Sequence, residues 1–140
     1  MEKYTIIRIL LICIATLSIA SSCEEDESNY SDINGVYSCT EVSSHSGYRN
    51  YIVEIDKVNN QEELYIILNF HNTGINEFIY AEYRDDSIFI DNQVISTFFV
   101  NGKGKVFSDF KRMEIVYETD DGLVELEYQV VFERYLVCHY

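Results

Sequence analysis

The stretch KRMEIVYETDDGLVELEYQVVFER, residues 111–134, decides the fold. Before Asp120-Asp121-Gly122 its apolar positions are Met113, Ile115 and Tyr117, and after it Leu126, Tyr128, Val130 and Phe132. Glu114, Glu118, Glu125, Glu127 and Glu133 fall between them. Alternation with a period of two sends successive side chains to opposite faces of a strand. Asp and Gly at the break tolerate the dihedrals of a tight turn. The stretch therefore predicts an antiparallel hairpin with one dry face and one acidic, wet face.

Working outward, the same grammar recurs. Strands are expected near 35–42, 51–58, 63–70, 77–84, 87–91, 98–107, 111–119 and 123–134, broken by clusters of Asn, Asp, Gly and Ser. The inward residues expected elsewhere are Tyr51, Val53 and Ile55; Leu64, Ile66 and Leu68; Ile79, Ala81 and Tyr83; and Ile88 and Ile90. Glu54, Asp56, Glu82 and Asp91 lie on the opposite face. An antiparallel meander of about eight strands must close or leave two edges open to aggregation, so the expected class is all-β, a small antiparallel meander β-barrel. Pairing of the first and last strands, with Gly35 opposite Arg134, would close it.

Residues 1–22 read as a secretory leader. Lys3 and Arg8 precede an apolar run from Ile9 to Ala20, too short for the roughly 20 residues of a bilayer span. It ends on Ile19-Ala20-Ser21-Ser22-Cys23, the pattern of a lipobox, in which Cys23 is the lipidation site and the new N-terminus. Residues 23–33, containing Glu24-Glu25-Asp26-Glu27, are expected to form an acidic, solvated tether, and 34–140 the barrel domain.

The chain carries a formal charge of −14, and loss of Glu2, Lys3 and Arg8 with the leader makes it one unit more negative. Such a surface repels phosphate backbones, which argues against nucleic acid as a partner and leaves cationic proteins, divalent ions or neutral apolar or glycan ligands. Of the four cysteines, Cys39 and Cys138 remain outside the reducing cytoplasm and suggest one disulfide. The expected register opposes it: Cys39 would face Val130, with Cys138 eight residues further on, about 26 Å along an extended strand.

No nucleophile elbow, phosphate loop or paired metal motif is present, so no catalytic residue, metal ligand or cofactor is assigned. His45, His71 and His139 fall in expected turns or the tail and read as solvated. Ser44 beside His45 lacks an orienting carboxylate and an oxyanion hole. Asp85-Asp86 and Asp120-Asp121 offer calcium oxygens but fit turn chemistry better. Tyr48, Tyr51, Tyr65, Tyr80 and Tyr83 invite a carbohydrate platform, although their strand positions favour packing. Phe98-Phe99 either lines a barrel mouth or begins a strand. Lys103, Lys105, Lys111 and Arg112 concentrate positive charge, best explained by edge protection and pairing with nearby acids.

The lipobox with Cys23-Glu24-Glu25-Asp26-Glu27, then Asn34-Gly35-Val36-Tyr37, Ile79-Tyr80-Ala81-Glu82-Tyr83, Ser87-Ile88-Phe89-Ile90 and Asn101-Gly102-Lys103-Gly104-Lys105-Val106, resembles the small lipocalin-like lipoproteins of Bacteroidota, a family largely without known function. The resemblance implies a lipocalin-like barrel, with Tyr37 plugging its base where lipocalins place a tryptophan. It also implies that the acidic run after Cys23 directs export to the outer face of the outer membrane, against a periplasm-facing anchor. The expected function is a non-enzymatic, lipid-anchored binding or interaction module, its ligand-binding residues unassigned. A cavity of about 300 Å³ or more would favour an internal ligand; a filled interior leaves a protein-binding outer face. The alternative is inhibition of a basic enzyme such as lysozyme, suggested by Tyr37-Ser38-Cys39.

Overall fold

The computed structural model describes residues 30–135. Cys23, the acidic run that follows it, Cys138 and His139 lie outside them. The described chain forms eight strands: β1 (Gly35–Ser43), β2 (Gly47–Lys57), β3 (Leu64–Leu68), β4 (Phe78–Arg84), β5 (Ser87–Ile95), β6 (Phe98–Val106), β7 (Arg112–Asp120) and β8 (Glu125–Arg134). Each pairs antiparallel with the next and β8 returns to β1, giving a closed barrel with meander topology. A 3₁₀ turn, Phe70–Asn72, interrupts the β3–β4 connection.

The hairpin of residues 111–134 forms as its alternation requires, with Met113 opposite Phe132, Ile115 opposite Val130 and Tyr117 opposite Tyr128. These side chains are buried, whereas Glu114, Glu125, Glu127 and Glu133 are exposed. Turn chemistry holds at its tip: Asp120 Oδ1 accepts from the Gly122 N–H at 2.7 Å, and Asp121 Oδ1 from Leu123 and Val124 at 2.9 Å. Asp85 and Asp86 take positive φ in the tight β4–β5 turn.

Several expectations are corrected. Leu64, Ile66 and Leu68 point outward; Tyr65 and Ile67 face the core. β3 is apolar at both parities, so alternation carries no information about which face is inner. The closing register is displaced by two residues, with Tyr37 opposite Arg134 and Cys39 opposite Phe132. A shift of two keeps each side chain on its face, which is why the inner set survives. β2 begins at Gly47, well before residue 51, because the β1–β2 connection is a tight hairpin turning through Gly47 at φ +72°. β5 continues to Ile95 past a bulge between Ile90 and Gln93. Where β4 and β5 stop pairing, the Gln93 side chain replaces the missing strand: its Oε1 accepts from Tyr80 N–H at 2.7 Å and its Nε2 donates to Tyr80 C=O at 2.8 Å.

The base of the barrel is sealed by the segment expected to be tether. Ile33 is fully buried, and Tyr30 lies against the Arg134 guanidinium, 3.9 Å from its ring centroid. Arg134 donates to the carbonyls of Asp32, Asn34 and Phe110 and to the Tyr37 hydroxyl at 2.7 Å. Tyr37 is fully buried, and its one hydroxyl proton is shared between the Ile33 carbonyl at 3.0 Å and the Phe110 carbonyl at 3.2 Å. Burial, opposed by the neighbouring guanidinium, pushes its phenol up to about 12, so it remains a donor at any ordinary pH. Between the ends, Cys39, Val53, Ile55, Tyr65, Ile67, Ile79, Ile88, Met113, Ile115 and Phe132 fill the interior. Burial, reinforced by Glu41, raises the Cys39 thiol and keeps it protonated.

Candidate functional site

The mouth of the barrel, opposite the base, gathers Glu41 of β1, Arg49 and Tyr51 of β2, His71 of the 3₁₀ turn and Tyr117 of β7. Glu41 follows Tyr37 and Cys39 at the inward parity of β1, which places a carboxylate inside the barrel, 1% exposed. Arg49 is its direct cross-strand partner. Arg49 Nε donates to Glu41 Oε1 at 2.9 Å, and its Nη2 pairs with the same oxygen. Tyr51 donates to Oε2 at 2.7 Å, and the Tyr117 hydroxyl donates to it as well. Both carboxylate oxygens are thereby occupied.

His71 completes the cluster. Its Nδ1 lies within hydrogen-bond distance of the Tyr117 hydroxyl and 3.4 Å from Glu41 Oε2, and Arg49 Nη2 is 3.0 Å from that nitrogen. The ring sits among Phe98, Tyr117 and Tyr128, at centroid distances of 5.3, 5.7 and 4.7 Å. Tyr117 and Tyr128 stack at 5.1 Å. The loop delivering His71 is held in an uncommon conformation, with Asn69, His71 and Asn72 all near φ +58°. Phe70 anchors it by burying fully against Tyr117, 4.7 Å between centroids. Asn69 Oδ1 accepts from Gly74 N–H and its Nδ2 donates to the Ile52 carbonyl, fixing the ends.

Burial alone would push Glu41 up, but hydrogen bonds from His71, Tyr117, Tyr51 and Arg49 outweigh it and hold the carboxyl at about 2. Burial, with the neighbouring phenol and carboxylate, raises Tyr117; burial and Glu41 raise Tyr51. A carboxylate so strongly held as an anion is a weak general base, and phenols raised in this way are weak acids at neutral pH. The arrangement ties β1, β2, β7 and the β3–β4 loop to one charge.

Linkage makes this testable. The unfolded chain returns Glu41 to an ordinary value near 4.5, so its contribution is complete above that pH and is lost as pH falls from 4.5 toward 2. The difference corresponds to about 3 kcal/mol. Urea unfolding of the soluble domain between pH 6 and pH 2 is expected to show this loss, and Glu41→Gln to flatten it.

Elsewhere the candidates separate. His71, expected to be solvated, is drawn into the mouth; a turn position reports nothing about what the turn folds onto. His45 is exposed, its Nδ1 3.1 Å from the Ser44 hydroxyl. Tyr51 and Tyr65 are core residues and Tyr83 packs against the core, while Tyr48 and Tyr80 are exposed; the five form no common platform. Phe98 both begins β6 and lines the mouth. Arg112 pairs with Glu114 at 2.8 Å and, across the strands, with Glu133 at 3.5 Å, and Lys105 lies over Phe107. Cys39 is buried inside the barrel. Glu41 and Arg49 were the residues overlooked, although an acid at an inward parity facing a base across a hairpin is a readable sign.

No family model matches the sequence, and no curated protein matches it. Among solved structures, a redesigned β-barrel is similar over 74% of this chain and 92% of its own, with a TM-score of 0.54 at 9% identity. At that identity the likeness shows the fold alone: this chain is a closed, eight-stranded antiparallel β-barrel.

Proposed function

We propose that this chain is a lipid-anchored lipoprotein of the bacterial cell envelope, of the small lipocalin-like kind, whose barrel is a non-enzymatic binding module. The supporting observation is the lipobox ending at Cys23 in the same chain as a closed barrel whose inward side chains form one buried cluster. The interior side chains pack into one buried cluster, which favours binding on the outer surface. The groove of about 690 Å³ lined by Thr40, Val42, Val116, Gln129 and Val131 lies on the outside of the wall. Glu41, the buried carboxylate, has both oxygens committed to protein donors, which favours a structural over an acid–base role. On this reading the acylated Cys23 holds the protein at the outer membrane, facing outward, since two or more acyl chains give the stable anchoring that one does not.

Cys23→Ser is expected to abolish palmitate incorporation and leave the leader of residues 1–22 attached, read by the intact mass. An unlabelled wild type, or a serine variant labelled as strongly as the wild type, would remove the anchor from the proposal. Native mass spectrometry of the soluble domain purified from its own host tests the binding role, an added mass from a retained partner being the expected result.

A further inference from the structure

The outer wall at β3 and β4 differs from the rest of the barrel. Leu64, Ile66 and Leu68 lie outside, while Tyr65 and Ile67, between them, fill the core; β3 is apolar on both faces. Across the strands Ile66 faces Tyr80 and Leu68 faces Phe78. Phe78 and Tyr80 are 44% and 48% exposed, their rings edge to face at 5.5 Å, and Ile52 on β2 adds a side chain 52% exposed. A strand apolar on both faces is ordinarily one covered on both, and a contiguous exposed patch of this kind marks an interaction surface.

The rim identifies the occupant. Glu54 and Asp56 stand opposite Leu68 and Ile66 on β2. Glu82 lies beyond Tyr80 on β4, and Asp91 is brought beside Tyr80 because Gln93 Nε2 donates to the carbonyls of both. Of the bases on these strands, Arg84 is engaged by Glu82 at 3.6 Å and lies over Phe89, and Lys57, opposite Tyr65, lies 5.7 Å from the centroid of that inward-facing ring. An apolar centre ringed by carboxylates complements an apolar centre ringed by lysine and arginine. A second copy meeting the same face would set acids against acids, and anionic headgroups would be repelled likewise. At Tyr80 strand addition is also blocked, because Gln93 already occupies its N–H and C=O on the β5 side.

We propose that the outer face of β2–β4, centred on Ile66, Phe78 and Tyr80, is the docking surface for a basic-rimmed protein partner. This rests on the binding-module reading and names the class of partner it takes.

The test uses the full, lipidated chain in its producing bacterium, with p-benzoylphenylalanine at position 80 or, on the exposed far wall, at position 129. The expected result is a protein adduct at position 80 at least about tenfold stronger than at 129, its cross-linked peptide lying in a lysine- and arginine-rich surface, and lost in the exposed-rim variant Glu54→Lys/Asp91→Lys. An adduct of twice the chain's mass, a lipid adduct, an adduct indifferent to the charge reversal, or none at position 80 would overturn the proposal. An adduct at 129 alone would overturn this face and leave the binding-module reading standing.

Discussion

Glu41→Ala is expected to destabilise the barrel by about 3–5 kcal/mol in urea unfolding at pH 7, the range for removing one partner of a buried ion pair. The loss arises less from the missing attraction than from what remains. Arg49, His71 and the hydroxyls of Tyr51 and Tyr117 all converge on the carboxylate, and alanine leaves the two buried hydroxyls without their acceptor, while Arg49, 32% exposed, turns to water. A small domain has about 5–15 kcal/mol in total, so the variant retains little margin. Glu41→Gln keeps the shape and one acceptor oxygen and is expected to lose about half as much, with weaker pH dependence. An alanine variant within about 1 kcal/mol of the parent would show that the network does not tie these elements together.

Gly104→Ala is expected to cost about 3 kcal/mol, at the upper end of overpacking effects, and Gly102→Ala nearly as much. Both glycines sit at inward positions of β6, where β7 crosses closely. A Cβ on Gly104 would lie 2.7 Å from Ile115 Cγ1 and 2.8 Å from its Cα; on Gly102 it would lie 2.7 Å from the Val116 carbonyl oxygen. The obstructing atoms are mostly backbone, which a rotamer change cannot relieve, so the wall must shift. Glycine here lets a small barrel coil tightly, a use distinct from its role in turns. Alanine at the intervening, exposed Lys103 touches none of this and is expected to change stability by less than about 0.5 kcal/mol. Equal effects at 103 and 104 in thermal unfolding would refute the close-approach explanation.

These two sites were unequally legible. Glu41 could be read inward from Tyr37 and Cys39, and Arg49 stands across the hairpin; what could not be read is His71, because a loop residue carries no periodicity and its destination depends on where Phe70 finds a hydrophobic seat. Nothing in the local pattern of Gly102 and Gly104 says what approaches them, since β7 arrives from another segment of sequence. β3 shows the same limit: Leu-Tyr-Ile-Ile-Leu is consistent with either face inward, and only the neighbours on β2 and β4 select Tyr65 and Ile67.

By itself, the sequence determined that the chain alternates, the turns at Asp85-Asp86 and Asp120-Asp121-Gly122, and that its ends must pair, because side-chain parity and turn dihedrals are local properties of the backbone. Tertiary structure alone decided the closing register, the inner face of β3, the sealing of the base by Tyr30 and Ile33 and the capture of His71 at the mouth. A two-residue slip or a doubly apolar strand leaves the local pattern unchanged, so only packing around the whole ring distinguishes the alternatives.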